Sequence, residues 1–368
     1  MVVFSLIFTG MLVVAIYPFN FFPSNHVQWL SKGPGLYFNG KGIARTGRAE
    51  LISLSKAISV ELLIKERIGS KNWGPREIFS FYDGSFSPSL LVGQWDGRIF
   101  IYSRFESNES DKWYRLFRTK ERFLRGKTQL VTVTFGEVEK AIYINGQLNN
   151  RKKVEIDDTA GIKFSGRFLL GNSPTLRNGW WGEIKGLAIY NRVLLPEEIA
   201  AHSIEVMGKG MSGLAKTPGC MALYPFNEGE GDTAKSILGT SRPFFIPKSR
   251  NALAGTIFSL PNRNMRIESF PAADLLKNII FFIPFGILLT AIILKKCALG
   301  YFATFLIVTL AGGLFSYLIE FFQLFLPSRN SGLLDIVGNI LGSGLGIILA
   351  FTLTLKQGVK SALDACLN

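Results

Sequence analysis

Charge is all but absent from four long runs of this chain, and that scarcity constrains the fold more than any motif. Residues 2–22 (VVFSLIFTGMLVVAIYPFNFF), 298–319 and 336–355 hold no charged side chain. Residues 275–294 (LLKNIIFFIPFGILLTAIIL) hold Lys277 alone, near one end. About 20 apolar residues cross a ~30 Å hydrocarbon core as a helix, so the sequence predicts four transmembrane helices. Between the first and second, residues 23–273 carry 35 Lys and Arg against 23 Asp and Glu, while the remaining ends carry 6 and 4. A charged middle between apolar ends predicts a multi-domain membrane protein with one large water-soluble insert. The 368 residues have a net charge of +14, which alone would suit a nucleic-acid binder. A positive mean hydropathy of +0.25 argues against that class.

The first run lacks a basic leader region and an A-x-A-like site before Asn25, so a retained anchor is expected rather than a cleaved signal. Short loops set orientation. Lys295 and Lys296, and Lys356 and Lys360 after the last span, belong on the cytoplasmic side. That leaves both termini inside and the insert outside. The expected division is a first helix at 1–22, an extracytoplasmic domain at 27–265, three helices at 274–355 and a cytoplasmic tail at 356–368. Cys297 and Cys366 then lie inside and Cys220 alone outside, which gives no disulfide framework.

Within the insert the periodicity shortens to that of strands. Residues 58–65 (ISVELLIK) mix β-branched and alternating apolar positions, 98–103 (RIFIYS) and 130–135 (LVTVTF) alternate with period two, 141–149 contains an Asn145-Gly146 turn, and further strands are expected at 166–171 and 182–190. Short strands between Gly, Asn, Asp and Pro predict an all-β antiparallel sandwich. Pro196-Glu197-Glu198 predicts a short helix over 195–203. The runs LLVGQWDGRIFIYSR (90–104), TQLVTVTF with KAIYINGQL (128–148) and GRFLLGNSPTLRNGWWGEIKGLAIYNRVLLPEEIAAH (166–202) resemble a laminin-G-like, concanavalin A-like jelly roll. Residues 222–239 resemble the opening strand and turn of such domains, with Ser236 where they usually carry Asp. The resemblance implies carbohydrate binding, sometimes with calcium. Trp95, Trp113, Trp180 and Trp181 are the candidate glycan contacts, although Trp180 and Trp181 equally suit packing at a strand edge. Asp83, Asp96, Asp157 and Asp158 offer loop oxygens for calcium, but they form no D-x-D-x-D pattern, so no metal and no cofactor is assigned. His26 and His202 fall at domain edges, and no Ser/His/Asp constellation is visible. Glu197 and Glu198 are adjacent and thus a poor glycosidase pair. The stretch 112–127, with Lys112, Arg115, Arg118, Arg122 and Arg125, reads either as a surface for anionic lipid or acidic polymer or as a solvated strand face.

The last three spans carry a polar layer. Asp274 and Asn278 are four apart at the start of the second span, Glu320 and Gln323 three apart near the end of the third. Asp335 and Asn339 are four apart at the start of the fourth, with Arg329 in the loop before it. Pairs at these spacings share a helix face. Intramembrane acids are costly unless paired, hydrated or liganded. Arg329 is therefore expected either to lock the bundle or to help form an outward-facing site. Gly338, Gly342 and Gly346 repeat every four residues as a close-packing face, and Pro284 is expected to kink the second span beside the polar layer. The stretches DLLKNIIFFIPFGILL (274–289) and SYLIEFFQLFLPSRNSGLLDIVGNILGSGLG (316–346), with YPFNFF (17–22), are similar to the VanZ-like family of small bacterial membrane proteins. That resemblance implies the inner membrane, an envelope role and, in one branch, glycopeptide resistance. The expectation is a VanZ-like four-helix bundle with the jelly roll inserted between its first and second helices. An outer-leaflet site would take a polar or lipid-linked envelope molecule, and the jelly roll a glycan or protein partner. The alternatives are an enzyme using Glu320 or Asp335 with Arg329, and a structural scaffold.

Overall fold

The computed structural model describes residues 2–47, 50–51, 57–67, 74–84, 88–104, 117–154, 164–239, 241–251, 253, 272–297, 299–323, 325–326 and 332–367. The chain divides into two compact units: Pro23–Ala254, and Met1–Phe22 together with Gly255–Asn368.

The first of these units is a sandwich of two antiparallel sheets. In chain order its strands are β1 (Gln28–Trp29), β2 (Leu36–Asn39), β3 (Ala44–Thr46), β4 (Glu50–Leu51), β5 (Ile58–Glu66), β6 (Arg76–Tyr82), β7 (Leu90–Trp95), β8 (Arg98–Tyr102) and β9 (Phe117–Arg118). They continue as β10 (Thr128–Phe135), β11 (Glu139–Ile144), β12 (Gln147–Lys153), β13 (Ser165–Leu170), β14 (Trp181–Tyr190), β15 (Cys220–Tyr224), β16 (Thr233–Ala234) and β17 (Phe244–Phe245). One sheet runs β1-β2-β14-β5-β10-β11-β12 with β15 beside β14, and the other runs β16-β17-β3-β13-β6-β7-β8-β9 with β4 beside β13. Strand β5 thus lies between β14 and β10, partners far away in sequence, as jelly-roll crossovers require.

Alternation sorts each strand's side chains. Val60, Leu62 and Ile64 of β5 point between the sheets with Val131, Val133, Ile189, Phe81 and Phe168. Leu63 points the other way, with Leu130, Tyr143 and Tyr190, against the helix α2 (Pro196–Lys209) and a short 3-10 helix (Met211–Lys216). That is why β5 is buried along both faces. Two hairpins use residues that tolerate positive φ: Asn145 (49°) and Gly146 (80°) join β11 to β12, and Asp96 (51°) and Gly97 (70°) join β7 to β8. Two-residue turns of this kind match the twist of the strands they join. Helix α2 extends past the expected 203 to Lys209. Glu198 Oε2 accepts from Leu195 N at 2.9 Å, and the carboxylate takes Arg192 at 2.7 and 2.6 Å. The Arg192 hydrogen bonds hold the Glu198 carboxyl down at about 2. Ser236 Oγ accepts from Leu223 N at 3.2 Å and Leu238 N at 3.4 Å, so its hydroxyl holds the turn.

The other unit is helical: α1 (Val2–Ile16), α3 (Ala272–Lys296), α4 (Tyr301–Gln323) and α5 (Leu333–Leu367). Met11 and Ala15 of α1 pack with Phe282, Phe285, Phe315 and Ile319. Three helices have the length and composition to cross a membrane, over Leu275–Lys296, Tyr301–Gln323 and Leu333–Thr354. Helix α1 ends at Ile16 rather than at 22, because a residue before proline, here Tyr17 before Pro18, avoids the helical region. Its 15 described helical residues rise about 23 Å. Helix α5 instead runs on through the expected tail, whose Lys, Gln, Ala and Leu are good helix formers.

The glycine repeat is the seam between α3 and α5. A Cβ at Gly342 would lie 2.2 Å from Ile279 O, and one at Gly346 2.4 Å from Ile283 O. Gly286 returns the contact from α3, 2.3 Å from Ser343 O. Pro284 is exposed within a continuous α3, about 240° around the helix from Asn278, so it is not directed at the polar layer.

Candidate functional site

Helices α3 and α5 begin, and α4 ends, at the same end of the bundle, which collects the polar residues into tiers one turn apart. In the first tier Asn278 Nδ2 donates to Asp335 Oδ1 at 2.6 Å, and Glu320 Oε2 accepts from Gly332 N at 3.1 Å. Four residues further along α5 and four back along α4, Asn339 Nδ2 donates to Ser316 Oγ at 2.9 Å. A third tier has Ser343 Oγ donating to Asn339 O at 3.0 Å, over Gly312, where a Cβ would meet that hydroxyl. Gln323 leaves this set and donates from Nε2 to Ala15 O at 3.0 Å, tying α4 to α1. Asp274 lies in the first turn of α3 with its side chain outside the described residues, as is the whole of Arg329.

Two buried groups in the tiers have few partners among the described residues. Glu320 is 2% exposed, and Gly332 N is the hydrogen-bond donor it meets among the described residues. Asn339 is 4% exposed and its Oδ1 has no hydrogen-bond partner among the described residues. Turning the amide over would only exchange which atom Ser316 satisfies. An orphaned buried polar atom costs about 1–3 kcal/mol.

The sandwich treats its tryptophans unequally. Trp180 is 1% exposed, donating from Nε1 to Gln94 Oε1 at 2.7 Å, so its ring is closed to a sugar and the packing reading holds for it. Trp181, the next residue, is 38% exposed, with the Arg67 guanidinium 5.7 Å from its ring and 6.0 Å from that of Tyr37. Trp95 is half-buried with Arg118 at 5.8 Å. Trp113, Lys112 and Arg115 lie outside the described residues. Arg122 pairs with Asp96 at 2.9 Å, and Arg125 with the buried Glu66 at 3.3 Å. Asp83 is held by Arg104 through two hydrogen bonds of 2.9 and 2.5 Å. Arginine thus occupies both described candidate calcium carboxylates, and Asp157 and Asp158 fall outside the described residues. Among the described residues no group of three or more His, Cys, Asp or Glu is placed to hold a metal.

One constellation escaped the sequence reading. His26 is exposed, but His202 is buried beneath the sheet rather than at a domain edge. Its Nδ1 lies 3.0 Å from Glu61 Oε2 and its Nε2 3.0 Å from Thr217 Oγ1. Glu61 also accepts from Tyr190 OH at 2.8 Å and Thr132 Oγ1 at 3.0 Å. These bonds pin α2 to β5, β10 and β14. The signal available was the polar pair Ser59 and Glu61 in the apolar first half of the strand. Cys220 is near enough to feel Glu61, and burial first, that charge second, push its thiol up to about 12.

Comparison with known proteins follows the same division. Residues 206–355 match the VanZ/LLP1 family, and residues 38–200 the concanavalin A-like lectin/glucanases superfamily. The VanZ/LLP1 match begins inside α2 and takes in the last strands of the sandwich as well as the three long helices. Among solved structures, a Bacteroides ovatus protein assigned to carbohydrate binding is 12% identical, covering 60% of this chain and 61% of its own, with a TM-score of 0.41. A Trypanosoma rangeli sialidase is 13% identical over 49% of this chain and 28% of its own, at 0.39. A SAP-like pentraxin from Limulus polyphemus is 15% identical over 50% and 79%, at 0.35. None of the curated proteins compared with the chain matches it. Residues 206–355 are thus similar to the VanZ/LLP1 family and residues 38–200 to the concanavalin A-like superfamily, and among the described residues three helices have the length and composition to cross a membrane.

Proposed function

We propose that this is a bacterial cell-envelope membrane protein whose helical unit binds the polar part of a lipid-linked or otherwise membrane-resident envelope molecule. The tiers formed by Asn278, Glu320, Asp335 and Asn339 are its binding site, with Asp274 and Arg329 completing it. The jelly roll stands outside the inner membrane, inserted between α1 as a fourth membrane helix and α3, with both termini inside, and engages a glycan or protein partner there. A contribution to glycopeptide tolerance belongs to the same reading.

One observation carries it: a buried amide oxygen without a partner among the described residues, one turn from a buried carboxyl that has a single described donor. Such groups are costly in an apolar bundle unless something donates to them. A hydroxyl- or amine-bearing ligand would do so. The interhelical bonds Asn278–Asp335 and Asn339–Ser316 favour a second reading, in which the tiers only lock the bundle. Native mass spectrometry of the full chain extracted from its own membrane distinguishes the two. A lipid-linked species is expected on the wild type and lost from Glu320→Gln and Asn339→Leu, both still folded with melting temperatures near that of the wild type. Loss of fold in step with loss of the ligand would favour the lock.

A further inference from the structure

The two sheets of the sandwich have their open edges on the same side. Strand β12 ends one sheet and β9 ends the other. Side chains tie the edges together: Asn150 Nδ2 donates to Arg118 O at 2.7 Å, and Lys120 N to Asn149 Oδ1 at 2.8 Å. This joins the basic stretch after Phe117 to Arg151, Lys152 and Lys153, which lie some thirty residues on in β12. Residues 117–154 hold nine Lys and Arg against three Glu, an excess of six positive charges. Part of that charge is spoken for, since Arg122 faces Asp96, Arg125 faces Glu66 and Arg151 reaches Glu139 at 4.0 Å. Lys120, Lys152 and Lys153 are exposed at the same edge.

From this arrangement we infer that the β9–β12 edge is a binding surface for a linear, phosphate-bearing polyanion. Register decides the shape of the partner. Lys152 stands opposite Lys140, on the side where Asn150 stands opposite the inward-facing Ile142, whereas Arg151 stands opposite Ala141 on the α2 side. The cations therefore wrap around an edge strand about 23 Å long rather than lying in one plane. A polymer can run along such an edge with charges on both flanks, while a flat bilayer meets only one. Lysine on an edge strand also deters pairing with other strands, but that does not account for cations converging from two sheets. The inference is independent of the helical site.

The test uses the full chain in nanodiscs of zwitterionic lipid, with long-chain inorganic polyphosphate as the probe. The comparison variant is Lys120→Glu with Lys152→Glu and Lys153→Glu. The control, Lys32→Glu with Lys209→Glu and Lys235→Glu, makes the same change in net charge at exposed sites elsewhere. Binding to the wild type should fall about 50-fold between 50 and 200 mM salt if roughly four counterions are released, using the single-strand nucleic-acid slope as a guide. The edge variant should weaken binding at least tenfold at low salt and flatten that salt dependence, with the control changing it less than twofold. Equal weakening in both variants would reduce the effect to net charge and overturn the inference. So would no binding of polyphosphate by the wild type, or association only with nanodiscs of anionic lipid.

Discussion

Replacing Gly342 by alanine tests the α3–α5 seam on which the polar tiers depend. The added methyl would sit 2.2 Å from Ile279 O and 3.0 Å from Ile279 C and Cα. Ordinary contacts between such atoms are nearer 3.5 Å, so the helices must part by about 1 Å. Overpacking of this kind costs about 1–3 kcal/mol. Against it, alanine in a helix interior gains about 0.5–1 kcal/mol over glycine. The nearby Gly344 has nothing within 4 Å of its own added Cβ, so Gly344→Ala gains the propensity without the clash. The difference between the two variants isolates the contact, at about 1–3 kcal/mol, with Gly344→Ala the more stable. Reversible unfolding of the full chain in mixed micelles measures it. If both alanines stabilise the chain to within about 0.5 kcal/mol of one another, α3 and α5 do not meet along this glycine face.

Two further outcomes concern the sandwich. Glu77 is buried, its Oε2 has no partner among the described residues, and burial, only partly offset by the Asn178 hydrogen bond, raises its carboxyl to about 7. Its folded pKa lies above the unfolded value of 4.5, so the folded chain holds the proton longer. Stability should fall by about 3 kcal/mol as pH rises from 4.5 to 7 and then level off, a dependence that Glu77→Gln removes in thermal melts across that range. Glu61→Ala should cost about 3–5 kcal/mol, because it strips a shared acceptor from Tyr190, His202 and Thr132 together. A melting temperature within a degree or two of the wild type would show that the network carries little weight.

Much of the fold is legible in the sequence because its signals are local. Period-two alternation marks β8 and β10, and short apolar runs between turn residues mark β5, β13 and β14, all to within about two residues, while the Asn145-Gly146 pair marks a hairpin. The Asp96-Gly97 pair is an equally local signal that marks a second hairpin. Pro18 likewise carries the reason α1 stops early. What is not local is harder to read. The β9–β12 edge joins residues about thirty apart, so the basic stretch is visible in the sequence but its partner strand is not. Glu61 and His202 are 141 residues apart, and only the docking of α2 on β5 brings them together. Trp180 and Trp181 are neighbours with opposite fates, fixed by alternation on entering β14. The helical site lies between these extremes. Four-residue spacing placed Asp335 and Asn339 on one face, but the pairing of Asn339 with Ser316 depends on how α4 and α5 are set against each other.

The central claim is that the tiers around Glu320 and Asn339 hold a ligand from outside the chain. An electron cryo-microscopy map of the full chain in nanodiscs of its native lipids, sharp enough to show ordered side chains and bound molecules, tests it most directly. The account predicts non-protein density within hydrogen-bond distance of the Asn339 amide and the Glu320 carboxyl, absent from the same map of Asn339→Leu. Density in which the chain's own side chains satisfy both groups, with nothing else between the helices, would contradict it.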